Sequence, residues 1–181
     1  MILLGVDPGI RRLGYAVIEA SPREVTLKDF DVLRVDQAAD SLGAKLEFIH
    51  EEMCQILAKW NPRWVGLEKA VNFKNVDSAF KLTEARGVIR LSLYQTLDSA
   101  DARLLELSPT AIKKTVTGSG SASKESLEKV LRMNFQGLEE WVESHEKKLT
   151  HDAYDALAIA WTTWKKVSRS QQISRAAAQV W

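Results

Sequence analysis

The sequence is poor in cysteine and proline and has no long apolar run. Its one cysteine, Cys54, cannot close an internal disulfide, which fits a reducing cytoplasm. No stretch rich in Pro, Gly or Ser is long enough to link two domains. The longest apolar runs, Met1–Val6 and Ala156–Trp161, fall far short of the roughly 20 residues a bilayer demands, so no membrane contact is expected. A secretory leader is not expected either, because Asp7 cuts the opening run and no basic segment precedes it. Neither sign of charge dominates. Lys and Arg number 25 against 24 Asp and Glu, a net charge of +1. Spread evenly, such a balance would argue against a nucleic-acid partner.

The charges are not spread evenly. Lys69, Lys74, Lys81, Arg86 and Arg90 meet only Asp77 and Glu84 between them. From Arg103 to Arg132 there are six bases against three acids, and Lys165, Lys166, Arg169 and Arg175 meet no acid at all. The balancing negatives gather at 47–52 and at Glu139, Glu140, Glu143 and Glu146. Solvated faces of mixed sign would give this pattern, and so would a basic surface for phosphate backbones on a neutral protein. With 181 residues, 45% of them hydrophobic, and a mean hydropathy of −0.20, the chain is long enough for one well-buried domain.

Ile2–Val6 ends at Asp7-Pro8-Gly9 and reads as a buried strand followed by a turn. Arg12–Ala20 and Val25–Val35 are β-prone, with Ser21-Pro22-Arg23 between them, and complete an antiparallel meander. Apolar residues at helical spacing from Leu42 to Trp60 predict an amphipathic helix, with Cys54 as a packing residue. Arg63–Glu68 is strand-like, and Val76–Leu97 reads as a long helix with Leu82, Val88, Ile89, Leu91 and Leu93 as core. Ala102–Leu107 predicts the fifth strand. Ser108-Pro109 and Ser123 have the chemistry of helix starts, and His151–Trp164 is the last strong helix. Right-handed crossovers would return each later strand parallel to the first. The expected fold class is α/β, a mixed five-stranded sheet with helices on both faces, which is the RNase H-like arrangement. The domain is expected to span residues 1–165, with 166–181 as a basic tail.

Four acids fall at special places in that arrangement. Asp7 closes the first strand and Glu68 the fourth, so their side chains converge if those strands are neighbours. Asp152 and Asp155, three apart, share one face of the last helix. Taken singly, each has an ordinary use: Asp7 as a turn former, Glu68 as a solvated strand end, the helical pair as first-turn acids favoured by the helix dipole. Together they are far more specific, and Asp155 sits in an otherwise apolar helix where a charge needs a reason. Like charges so close stay ionised only if cations neutralise them, and oxygen-only donors favour Mg²⁺ or Mn²⁺ over zinc. His151 is open between ligation or proton transfer and capping or packing. His50 and His145, among glutamates, read as surface residues.

The stretches GVDPGIRRLGYAVIE, GLEKAVNFKNVDSAFKLTEARGVI, TVTGSGSASK and HDAYDALAIA stand in this order over residues 1 to 165. In motif and spacing the chain resembles the RuvC family of Holliday-junction endonucleases. The resemblance implies a homodimeric, Mg²⁺-dependent nuclease, active in DNA recombination and repair, that cuts two strands of a four-way DNA junction symmetrically. Asp7, Glu68 and Asp155 match the family's catalytic metal ligands and Asp152 the fourth, a position that some members fill with histidine. Two cations in such a site activate a water and stabilise the leaving oxygen. Lys113 and Lys124 match lysines near the scissile region, and Lys74-Asn75 matches a pair in the junction-contacting loop. Backbone N–H groups of the Gly118–Ala122 loop, Gly118 and Gly120 included, would cradle a phosphate, unless that loop is a plain connector. The resemblance also implies a branch-migration motor as partner, although no motif marks the contact.

Family members commonly carry an aromatic residue three places after the catalytic glutamate. Here that place is Val71, and Phe73 is the nearest aromatic, so Phe73 is expected to act as the junction wedge. Two rivals remain. One is a RuvC-like nuclease for structured RNA, whose members are usually shorter and lack the VDSAFKLTEARGVI segment. The other is an inactive junction-binding module, which the complete set of four acids opposes.

Overall fold

The computed structural model describes residues 1–21, 24–70, 75–97, 103–135, 138–144 and 150–178. Chain order is β1 (Ile2–Asp7), β2 (Leu13–Ala20), β3 (Val25–Leu33), α1 (Val35–Ala38), α2 (Leu42–Trp60), β4 (Trp64–Glu68), α3 (Val76–Thr96) and β5 (Arg103–Leu107). Then come α4 (Pro109–Thr117), α5 (Lys124–Asn134), α6 (Leu138–Ser144) and α7 (His151–Ala178). The sheet runs β3-β2-β1-β4-β5, with β1, β2 and β3 antiparallel and β4 and β5 parallel to β1. This is the mixed five-stranded, RNase H-like sheet that the element order predicts. Central β1 is covered on both faces, which is why its sequence is a continuous apolar run rather than an alternating one.

Leu4, Val6, Leu13 and Val17 turn to the face covered by α2 and α3, where they meet Ile49, Met53, Leu57 and Ile89. Leu3, Ala16, Ile18 and Phe30 turn the other way, against α7 and the shorter α4, α5 and α6. Helix starts follow local chemistry. Ser41, Ser108 and Ser123 each accept a backbone N–H from three residues on, and Pro109 opens α4.

The α7 packing matters most for the site. Gly5, in the middle of β1, pairs with Ala16 of β2 and Gly66 of β4, so a row without bulky side chains crosses the sheet. Along this row α7 lies against the strands at backbone distance. A Cβ on Gly5 would stand 2.2 Å from the Ala156 carbonyl oxygen and 2.4 Å from the Ala160 nitrogen. On Gly66 it would meet Thr163 Oγ1 at 2.1 Å, and on Gly14 the Asp152 carbonyl oxygen at 2.0 Å. Three glycines therefore set how close α7 comes.

Several expectations change. Val35 opens the one-turn α1 instead of ending β3, and α6 adds a helix that the sequence did not mark. The last helix, expected to end at Trp164, runs on to Ala178. Leu91 is 51% exposed rather than core. His50 is half-buried, its Nδ1 bonded to Ser92 Oγ at 2.9 Å, while His145 lies outside the described residues.

Candidate active site

β1 and β4 are parallel neighbours with Val6 opposite Leu67, so the next residues, Asp7 and Glu68, end side by side. Strand alternation puts Asp7 on the side of Gly5 and Glu68 on the side of Gly66, toward α7. There Asp152 and Asp155 stand on the first turns of the helix, beside the Gly14 contact. The sequence expectation for the four acids rests on this convergence.

Asp7 is held well above the usual carboxylate range. Burial contributes most, followed by the Glu68 and Asp155 charges, a hydrogen bond shared with Glu68, and the charge of Asp152. Burial also raises Glu68. Its bond with Asp7 works the other way, as do the positive charges of Lys124 and Arg86, while the Asp155 charge adds to the rise.

The helical pair has protein cations of its own. Lys124 Nζ, from the start of α5, donates to Asp155 Oδ2 at 2.6 Å. Burial works against the Lys124 ammonium, but the bond and charge of Asp155, backed by Asp7 and Asp152, outweigh it and raise its pKa. Asp152 Oδ2 accepts from Thr150 Oγ1 at 2.7 Å, and Arg12 Nη1 lies 3.8 Å from the same oxygen. Among the described residues no three Asp, Glu, His or Cys side chains already close around one point as metal ligands would. Asp155 and Asp152 lean on Lys124, Thr150 and Arg12 instead. The donor set still fits a hard divalent cation, because it is all carboxylate and partly desolvated.

The other predicted residues divide. His151 is exposed, with Nδ1 3.5 Å from Glu128 Oε2, on the side of α5. Lys113 is half-buried on α4. Asn75 caps α3, its Oδ1 accepting from the N–H groups of Asp77 and Ser78, while Val71, Phe73 and Lys74 lie outside the described residues. Gly118 has φ 82° and closes α4, its N–H donating to the Lys114 carbonyl. The N–H groups of Ser119, Ser121 and Ala122 also bond within the loop, to Thr117 Oγ1, Ser119 Oγ and the Ser119 carbonyl. Most of the expected phosphate cradle is thus spent inside the turn. Gly120 serves packing, since a Cβ there would stand 2.7 Å from Thr110 Cγ2.

Sequence reasoning missed two cations. Arg86 on α3 is buried, pairs with Glu106 on β5, and favours ionised Glu68; Arg90 Nη2 joins the same Glu106 oxygen at 2.7 Å. Burial lowers the Arg86 pKa against the pull of Glu106. Arg12 is the second. A basic residue in a turn carries no signal by itself; only the β2–α7 contact shows what it meets.

The family profile described as crossover junction endodeoxyribonuclease RuvC matches residues 3–163. The chain belongs to the RuvC family. RuvC of Thermosipho melanesiensis is 32% identical over 161 residues, covering 89% of this chain and 95% of that protein. RuvC of a Synechococcus species is 34% identical over 165 residues, covering 91% and 98%. Thermus thermophilus RuvC, solved in complex with a Holliday junction substrate, superposes with a TM-score of 0.71 at 21% identity, over 90% of this chain and 92% of that one. At that identity it speaks for the RuvC fold.

Proposed function

We propose that this chain carries out its family's reaction, endonucleolytic hydrolysis of DNA at a crossover junction, with Asp7, Glu68, Asp152 and Asp155 as its catalytic acids. The observation that carries the reading is the Asp7–Glu68 pair, two partly desolvated carboxyls in contact where two parallel strands end. Such a pair works against folding, so it calls for a function that uses concentrated negative charge. The four acids would hold Mg²⁺, or Mn²⁺ in its place, two ions to a site. Bound there, the cations supply compensation for the acids and the polarising charge that phosphodiester hydrolysis needs. Through the places at which they would hold the cations, the acids would set where the attacking water and the scissile phosphate can lie. Lys124, its ammonium kept protonated by its acidic neighbours, would turn from Asp155 to a phosphate oxygen and offset charge that builds in the transition state.

Two equivalent strands at a four-way junction suit a two-fold dimer of this chain. On α3 the residues Val76, Phe80, Thr83, Gly87, Leu91 and Tyr94 repeat at helical spacing and all face solvent. Four of them are large apolar side chains, from 51% to 74% exposed, and Gly87 has open space where a Cβ would be. A second copy of the helix can approach closely there.

Asp7→Asn, Glu68→Gln and Asp155→Asn should each lower cleavage of a four-way junction under Mg²⁺ by more than about 100-fold, beyond what loss of an outer-shell partner costs. Junction binding should persist in all three. Cleavage at the wild-type rate in any of them removes that residue from the site. Comparison of four-way DNA, linear duplex and structured RNA as substrates tests the choice of nucleic acid.

A further inference from the structure

Arg12 stands where the acidic cluster meets solvent, and none of the chemistry above uses it. It lies two residues before Gly14 on the same side of the chain, and Gly14 presses on the backbone of Asp152. Gly9 closes the turn beneath it, with the Arg12 carbonyl oxygen 2.0 Å from where a Gly9 Cβ would be. The Asp36 N–H donates to the Arg11 carbonyl at 3.0 Å and ties the same turn to α1. The backbone of Arg12 is thereby fixed, while half of its side chain, 50%, remains open to solvent.

The guanidinium is held to Asp152 loosely. At 3.8 Å the contact is too long for a hydrogen bond, and Asp152 Oδ2 takes its bond from Thr150. An exposed pair of that kind is screened and easily exchanged. Lys124 contrasts with it, tightly bonded to Asp155 one helical turn further on. Two cations therefore flank the acids along α7, one from the β1–β2 turn and one from α5. A phosphate arriving at the acids meets both, and a guanidinium offers it a planar two-pronged donor that stays charged at every working pH.

We infer that Arg12 is a substrate-binding residue of this site, resting on Asp152 in the free protein and passing to a phosphate of the DNA strand when it arrives. This rests on the reading of Asp152 as a member of the site. A carboxylate freed of its arginine is also a better cation ligand, so arrival of substrate and completion of the acidic set favour each other.

The test uses the full chain in an Asp7→Asn background, so that the DNA stays whole, and a four-way junction with one neutral methylphosphonate stepped along the phosphates around the cleavage point. Adding Arg12→Ala should weaken binding and lower the slope of log affinity against log salt by about one. One methylphosphonate position that weakens the arginine protein should leave the alanine protein indifferent, while Arg12→Lys restores the slope and only part of the affinity. An unchanged slope with the same methylphosphonate profile overturns the inference, and so does an effect confined to the melting temperature. Failure of the underlying reading shows elsewhere: Asp152→Asn, with Asp7 intact, would then cut junctions like the wild type.

Discussion

Asp7 and Glu68 hold a proton more tightly in the folded chain than in the unfolded one, because burial and the charge of Asp155 raise both. The folded state binds more protons wherever the pH lies between the ordinary carboxyl value, 3.8 for Asp7, and its raised value in the fold. The contribution to stability is complete below the ordinary value and is lost as pH rises through the raised one. In chelator at pH 7, Asp7→Asn should therefore melt a few degrees above the wild type, and the gap should close toward pH 4. Millimolar Mg²⁺ should reverse the order, since the cation stabilises only the protein with its ligands intact. Thermal melts of the two proteins across that range decide it; a mutant that melts at or below the wild type in chelator at pH 7 refutes the account. Both acids were legible in the sequence because each ends a short apolar run, where a charge stands out. Arg12 was not legible, since its meaning depends on a contact with residue 152 that only the fold creates.

The glycines under α7 make their prediction at the level of the element. Gly5→Ala places a methyl group 2.2 Å from helix backbone, so sheet and helix must separate, and Gly66→Ala places one 2.1 Å from Thr163 Oγ1, so that side chain or the helix must move. Overpacking of that kind costs about 1–3 kcal/mol, read as a lower urea midpoint at unchanged slope. Gly14→Ala should act differently, because it pushes on Asp152 itself; cleavage should fall further than stability does. Equal stability for all three would mean that α7 is free to shift. Helical spacing was enough to predict α7 and its acidic face, and the serine caps marked where α4 and α5 begin. The length of α7 past Trp164 was not legible, since polar residues there carry no apolar stripe. Leu91 was misread for a related reason. α3 is apolar on two sides, toward the sheet and toward solvent, and the two stripes blur the period that would tell them apart.

For the molecule as a whole, the proposal that two copies meet through the outer stripe of α3 makes its own prediction. Leu91→Lys with Tyr94→Lys puts two charges into the proposed dimer face while leaving the sheet side of the helix alone. Sedimentation should show a monomer of unchanged melting temperature, and paired incisions of one junction should give way to single nicks; a variant that still sediments as a dimer moves the interface elsewhere. That β1 and β4 are neighbours came only with the fold. The mixed sheet, an antiparallel meander with later strands parallel to the first, was legible because the order of strands and helices, together with the handedness of crossovers, allows few alternatives. The outer stripe was not, because nothing in a single chain distinguishes an apolar residue meant for a neighbour from one meant for the core. The glycine row has one more consequence. Where α7 rests on Gly5 of β1 and Gly14 of β2, its distance from the sheet is set by the radii of backbone atoms and not by the volumes of core side chains. Hydrophobic residues elsewhere in the sheet can be exchanged for others over long divergence without altering the gauge of the active site. At 32% to 34% identity to RuvC relatives, this chain has room for such exchange around its acids.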